Sequence, residues 1–211
     1  MTQEVIRRPS FTRSDNPAIE SKVEAACHAY EMKNYGEALS ILLPLSMDPA
    51  AKCFLGMVYL DDPDQISMRQ YGWSMLIESA ETGYEYAWHV LGNRYLRLEK
   101  NTHNLEQASR WFLKAAELGC LDSQYALAWC YCNLYHYVAA SKWLFVTVAL
   151  GNTNAARLCN SIQIKMGPED YELAEELALE WLLLKRHGKV DSYYMPLRMY
   201  CNLIAVGAHS F

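Results

Sequence analysis

Cysteine and histidine are the residues here whose types and spacing first suggest chemistry. Cys130 and Cys132 form the one close cysteine pair, and Cys132 stands one helical turn before His136. A helix would turn the two thiols about 200° apart, so a single site cannot use both. Cys132 and His136 could share a metal ion, but a stable site takes four ligands and no second pair lies nearby in the sequence. Cys27-His28 has the types of a nucleophile and its base, yet adjacent residues of a helix do not face each other. A Gly-rich phosphate loop, an HExxH zinc motif, a nucleophile elbow and paired CxxC motifs are all absent from the sequence. The expectation is a chain with no catalytic residues, no metal and no cofactor.

Composition narrows the class further. Seven cysteines, an odd number without framework spacing, read as free thiols in a reducing compartment. Hydrophobic residues make up 52% of the 211, with only 7 prolines and 10 glycines, which suits a mostly helical folded protein. The N-terminal residues contain no apolar run of signal-peptide length, and the stretch WLFVTVAL at 143–150 is too short to span a bilayer. These features point to the cytoplasm and away from membranes. The net charge of −5 is unevenly spread: residues 15–85 hold twelve acids and four bases, residues 86–168 four acids and eight bases, and residues 169–180 six acids and no base. A continuous basic stripe is missing, which argues against nucleic acid. Blocks of alternating sign suit a protein partner of complementary charge.

The elements that must carry these residues are helices in tandem. In residues 84–119, Ala87, Leu91, Gly92 and Tyr95 recur at helical spacing, then Ala108, Trp111, Phe112, Ala115 and Ala116, and Gly119 stops the second run. Shifted back by 36 residues, Leu91, Gly92, Tyr95, Leu96, Ala116 and Gly119 fall on Leu55, Gly56, Tyr59, Leu60, Ala80 and Gly83. Shifted forward by 36, Leu91, Gly92 and Tyr95 fall on Leu127, Ala128 and Tyr131; a shift of 32 then puts Ala108, Trp111 and Gly119 on Ala140, Trp143 and Gly151. Such a period is the mark of stacked helix pairs, none able to bury its apolar face alone. Gly56, Gly92 and Ala128 then fall where neighbouring helices approach closely. The expected fold is an all-α solenoid of about five antiparallel pairs, at 17–49, 50–83, 84–119, 120–151 and 152–186. A loose arm at 1–16 precedes it and a C-terminal cap at 187–211 closes it. Within the pairs, helices are expected at 17–32, 35–47, 50–60, 66–82 and 169–186, with a tight corner at 134–137. Leu173, Leu177 and Trp181 are expected to face back onto the array.

The strings A-x(3)-LG-x(2)-YL and A-x(2)-WFLKAAELG, most complete at 84–119, resemble the Sel1-like repeat, a longer-looped relative of the tetratricopeptide repeat. A secreted, cysteine-rich branch of that family has paired cysteines in every repeat, a pattern missing here. The resemblance implies a non-catalytic protein-binding module of a bacterial type. In such arrays the first helix of each pair lines a concave groove. Carried over residue by residue, that places Tyr86, His89, Asn93, Arg97, Tyr125, Trp129, Asn133 and Arg157 in the groove. Trp129 could equally pack between repeats. Asp61, Asp62 and Asp64 form an acidic loop that offers a second contact surface.

The partner implied is a protein. One form of this reading is an immunity protein that neutralises a toxin or secretion-system effector; another is an adaptor in signalling or virulence. A rival from a different class is an enzyme or small-ligand receptor using the groove around His89.

Overall fold

The computed structural model describes residues 17–98 and 101–185, and among them the regular structure is entirely helical. The fold is all-α. Helices run α1 Pro17–Glu31, α2 Tyr35–Leu42, α3 Pro49–Asp61, α4 Arg69–Glu81, α5 Glu85–Arg97, α6 Thr102–Glu117, α7 Leu121–Asn133, α8 Tyr137–Ala149, α9 Thr153–Gln163 and α10 Pro168–Lys185. Of two 3-10 segments among these residues, Leu43–Leu45 continues from the end of α2 and Pro63–Met68 leads into α4. The expected arm at 1–16 and cap at 187–211 lie outside the described residues.

Local chemistry accounts for the boundaries. The carboxylate of Asp48 accepts hydrogen bonds from the backbone N–H groups of Ala50 (2.9 Å) and Ala51 (3.1 Å), with Pro49 at the first helical position of α3. Asn101 and Asn152 cap α6 and α9 in the same way. Two boundaries differ from expectation, both at proline. Pro44 breaks the second helix, so α2 ends at Leu42 rather than near 47. Pro63 opens a 3-10 segment, so α4 starts at Arg69 rather than 66.

Alternate helices start at Pro49, Glu85, Leu121 and Thr153, and their predecessors end at Glu81, Glu117 and Ala149. These positions repeat the sequence shifts of 36 and 32. The turns repeat as well. Gly83, Gly119 and Gly151 are left-handed, with φ of 91°, 101° and 97°. Each following residue donates its N–H five residues back, as Tyr84 does to the Ser79 carbonyl and Cys120 to the Ala115 carbonyl. This is the Schellman ending, for which glycine carries no Cβ penalty. Lys33 and Tyr135 take the same conformation without being glycine.

The chain divides into two compact units, the boundary falling inside α5 between Arg94 and Tyr95. In the first unit α3 and α4 meet at two buried glycines. A Cβ on Gly56 would come within 2.7 Å of both the Gly72 carbonyl oxygen and Leu76 Cγ, so the helices touch backbone to backbone there. The second unit has its core around Phe112, Leu127, Leu144, Phe145 and Ile162. Helix α10 closes on it through Tyr171, Ala174 and Ala178, with the Tyr171 ring edge-on to Phe145 at 5.2 Å. Leu173, expected on that inner face, is instead 46% exposed. Two turns further on, Trp181 does pack against the core, edge-on to Trp143 at 5.5 Å.

Candidate functional site

In the first unit the expected groove residues sit on α5, and most of them serve packing. Tyr86 is buried, its ring stacked on Phe54 with centroids 5.7 Å apart. His89 is half-buried beside Tyr86, and its Nε2 lies 2.8 Å from Asn93 Nδ2, one turn on. Burial pushes the Tyr86 hydroxyl far above its ordinary range, so it stays protonated at every physiological pH.

The acidic loop is reorganised by its neighbours. Asp61 is the last residue of α3, and both its oxygens are gripped by Arg94, Nη1 to Oδ1 and Nη2 to Oδ2 at 2.5 Å each. The Tyr30 hydroxyl on α1 donates to the same carboxylate. One carboxylate therefore ties three helices, α1, α3 and α5, through a planar bidentate fork. Burial works against the Arg94 charge, but Asp61 outweighs it and the guanidinium pKa rises. Burial first, and then Asp61, raise the Tyr30 pKa and keep it the donor. Asp62 is almost buried and caps the 3-10 segment by accepting from the Asp64 N–H at 3.0 Å. Of the three acids only Asp64 is exposed. Tyr30 and Arg94 carry no motif; only a three-dimensional neighbourhood reveals them.

The second unit holds the remaining expected residues. Tyr125 and Trp129 are half-buried against the core, while Arg97, Asn133 and Arg157 are exposed. The Asn133 amide is turned back onto its own helix, donating to the Trp129 carbonyl at 2.7 Å.

A feature missed in the sequence lies at the tight corner between α7 and α8. There Tyr131, Tyr135, Tyr137 and Trp143 wall a cavity of about 600 Å³, with Leu177 and Asp170 contributed by α10. Tyr135, held at φ 63°, is 78% exposed at its edge, and its ring meets Tyr137 edge-on at 6.2 Å. Lys142 lies 4.9 Å over the Trp143 ring, and Lys165 lies 5.5 Å over Tyr137. The run of aromatic residues at 129–137 was the available signal. Its meaning depended on α10 returning to the same place.

Chemistry at this corner is muted. Burial pushes the Cys130 thiol up to about 12 and the Cys132 thiol up to about 11. Both are protonated at neutral pH and are poor nucleophiles and poor metal ligands in that form. Among the described residues no group of three or more His, Cys, Asp or Glu side chains is placed to hold a metal ion, and no helix is long and apolar enough to cross a membrane. The six described cysteines are all free thiols.

Compared with models of known protein families and with characterised proteins, the chain matches none.

Proposed function

We propose that the chain is a helical-repeat solenoid of the Sel1-like kind that binds a protein partner and catalyses no reaction. Support for the repeat comes from helix boundaries and left-handed turns that recur with the sequence shifts of 36 and 32. The binding role rests on one observation, the aromatic-walled cavity at the α7–α8 corner. Its volume of about 600 Å³ suits one or two large side chains, and tyrosine and tryptophan are the residue types that anchor interfaces. Small-molecule sites commonly bury most of their ligand. Here the Tyr135 wall stands largely in solvent, which favours a broad protein surface over an enclosed ligand. The protonated thiols of buried Cys130 and half-buried Cys132, near the same corner, speak against covalent catalysis. An antitoxin role, in which this surface covers a toxin or effector, is the narrower form of the proposal, and an adaptor role is its alternative.

The test is to capture partners on the full chain and to measure their affinity for variants of each surface. Tyr135→Ala should weaken a cavity-bound partner by about thirtyfold, the loss expected for a true anchor. His89→Ala and Tyr125→Ala make the corresponding test of the helix faces on α5 and α7. Melting temperatures near the parent value would show that binding, not folding, was lost. Recovery of no protein partner, together with saturable binding of a metabolite, would replace this reading with that of a small-ligand receptor.

A further inference from the structure

Among the described residues, helix α10 carries apolar surface that its packing on the core leaves uncovered. At 100° per residue, Leu173, Leu177 and Leu184 fall within about 40° of one another, on a stripe about 16 Å long. Leu173 is 46% and Leu184 70% exposed, and Leu177 joins the stripe to the aromatic cavity. The face that packs on the core, Tyr171, Ala174 and Ala178, points elsewhere. Beside the leucines, Glu180, Glu169 and Glu176 occupy roughly the next 60° of the helix surface. All three are exposed, and among the described residues none makes an ion pair. Asp170 lies on the opposite flank, at the cavity. The helix therefore presents a leucine row between acids, with six acids against Lys185 over its length.

On the reading that this chain binds a protein, we infer that the α10 stripe docks a basic amphipathic helix of that partner. The complementary surface is a row of large apolar residues at i, i+4 and i+11 flanked by lysine or arginine. One large apolar side chain of it enters the cavity beside Leu177. Apolar burial supplies the affinity, as in other helix-in-groove contacts, and the acidic flank selects charge and accelerates encounter. A neutral or acidic helix would leave Glu169, Glu176 and Glu180 facing like charge or losing water without compensation.

The experiment uses the full chain and a labelled 18-residue helical peptide with a leucine row and lysine flanks, beside an isomer with glutamate at each lysine position. Fluorescence anisotropy at 0.1 M salt should show binding of the lysine peptide only. Reversing the flank with Glu176→Lys and Glu180→Lys should weaken it about tenfold, more than the same reversal at Glu24 and Glu81, exposed acids on α1 and α4. Equal losses from both reversals, or equal binding of the two peptides, would overturn the inference, because net charge or apolarity alone would then explain the contact. A photo-crosslinking phenylalanine in place of Leu184 separates the occupants. Crosslinks to the peptide support the proposal, whereas crosslinks to residues 189–211 of the same chain overturn it. A cell-derived partner that tolerates the α10 reversal but is lost on Tyr135→Ala would refute this docking mode and leave the protein-binding reading standing.

Discussion

Asp61→Asn isolates what the grip of Arg94 contributes to the first unit. The substitution keeps the size of the side chain and an acceptor for the Tyr30 hydroxyl, so it removes the charge and little else. Arg94 is then left with its side chain only 10% exposed and no counter-charge from Asp61. Breaking a buried pair on one side costs about 3–5 kcal/mol. Asp61 keeps 22% of its side-chain surface open to water, which screens part of that term, and a loss of about 2–3 kcal/mol follows. Arg94→Met should cost a similar amount, since it takes the bidentate counter-charge away from a carboxylate that is only 22% exposed. The double variant should recover part of the loss, with a coupling of about 1–2 kcal/mol. Urea unfolding followed by circular dichroism measures all four proteins, and the midpoint should move while the slope stays constant. Raising salt to 1 M should leave the coupling largely intact, because a bidentate pair with this little exposure is screened far less than a surface one. A loss below about 0.5 kcal/mol for Asp61→Asn would refute the reasoning, for that is the value of an exposed pair. Asp61 would then again count among the acids able to contact a partner.

Gly56→Ala should lower stability by about 1–2 kcal/mol despite the better helix propensity of alanine, because the new Cβ meets the Gly72 carbonyl oxygen at 2.7 Å and backbone cannot turn aside. Gly36→Ala is its control: nothing lies within 4 Å of the added Cβ, and a gain of about 0.5–1 kcal/mol is expected in the same melting experiment. Stability should also fall in alkali. Below about pH 8 the Cys130 thiol is protonated in both states and adds no slope; above it, the unfolded chain releases a proton that the folded chain keeps up to about 12. Each such group lowers stability by about 1.4 kcal/mol per pH unit in that window, and Cys132 adds to it up to about 11. Urea midpoints between pH 8.5 and 10.5 would check this, and Cys130→Ala should flatten the profile; an unchanged slope would mean that the thiol is not shielded from water.

The helical class was legible in the sequence because periodic burial writes itself into every turn of an amphipathic helix. Gly83, Gly119 and Gly151 marked three turns by type alone, since a left-handed residue at a helix end favours the side chain that has no Cβ. Lys33 and Tyr135 adopt the same conformation, but nothing in their types announces it. Equivalent bonds can also hide behind unlike residues. The Trp88 indole donates to the Ala80 carbonyl at 2.8 Å, and 36 residues on the Gln124 amide donates to the Ala116 carbonyl at 3.1 Å. Periodicity placed Tyr86 and Trp129 on helix faces, yet it could not say how deeply each is buried, because that depends on which side chains come from other helices. Asp61 read as one acid among three in a loop. It became a brace only when α1 and α5 brought Tyr30 and Arg94 to it, residues 31 and 33 positions away. The cavity at the α7–α8 corner arose in the same way. The aromatic run was visible in the chain, but its closing wall of Asp170 and Leu177 comes from α10, and only tertiary packing could put the two together.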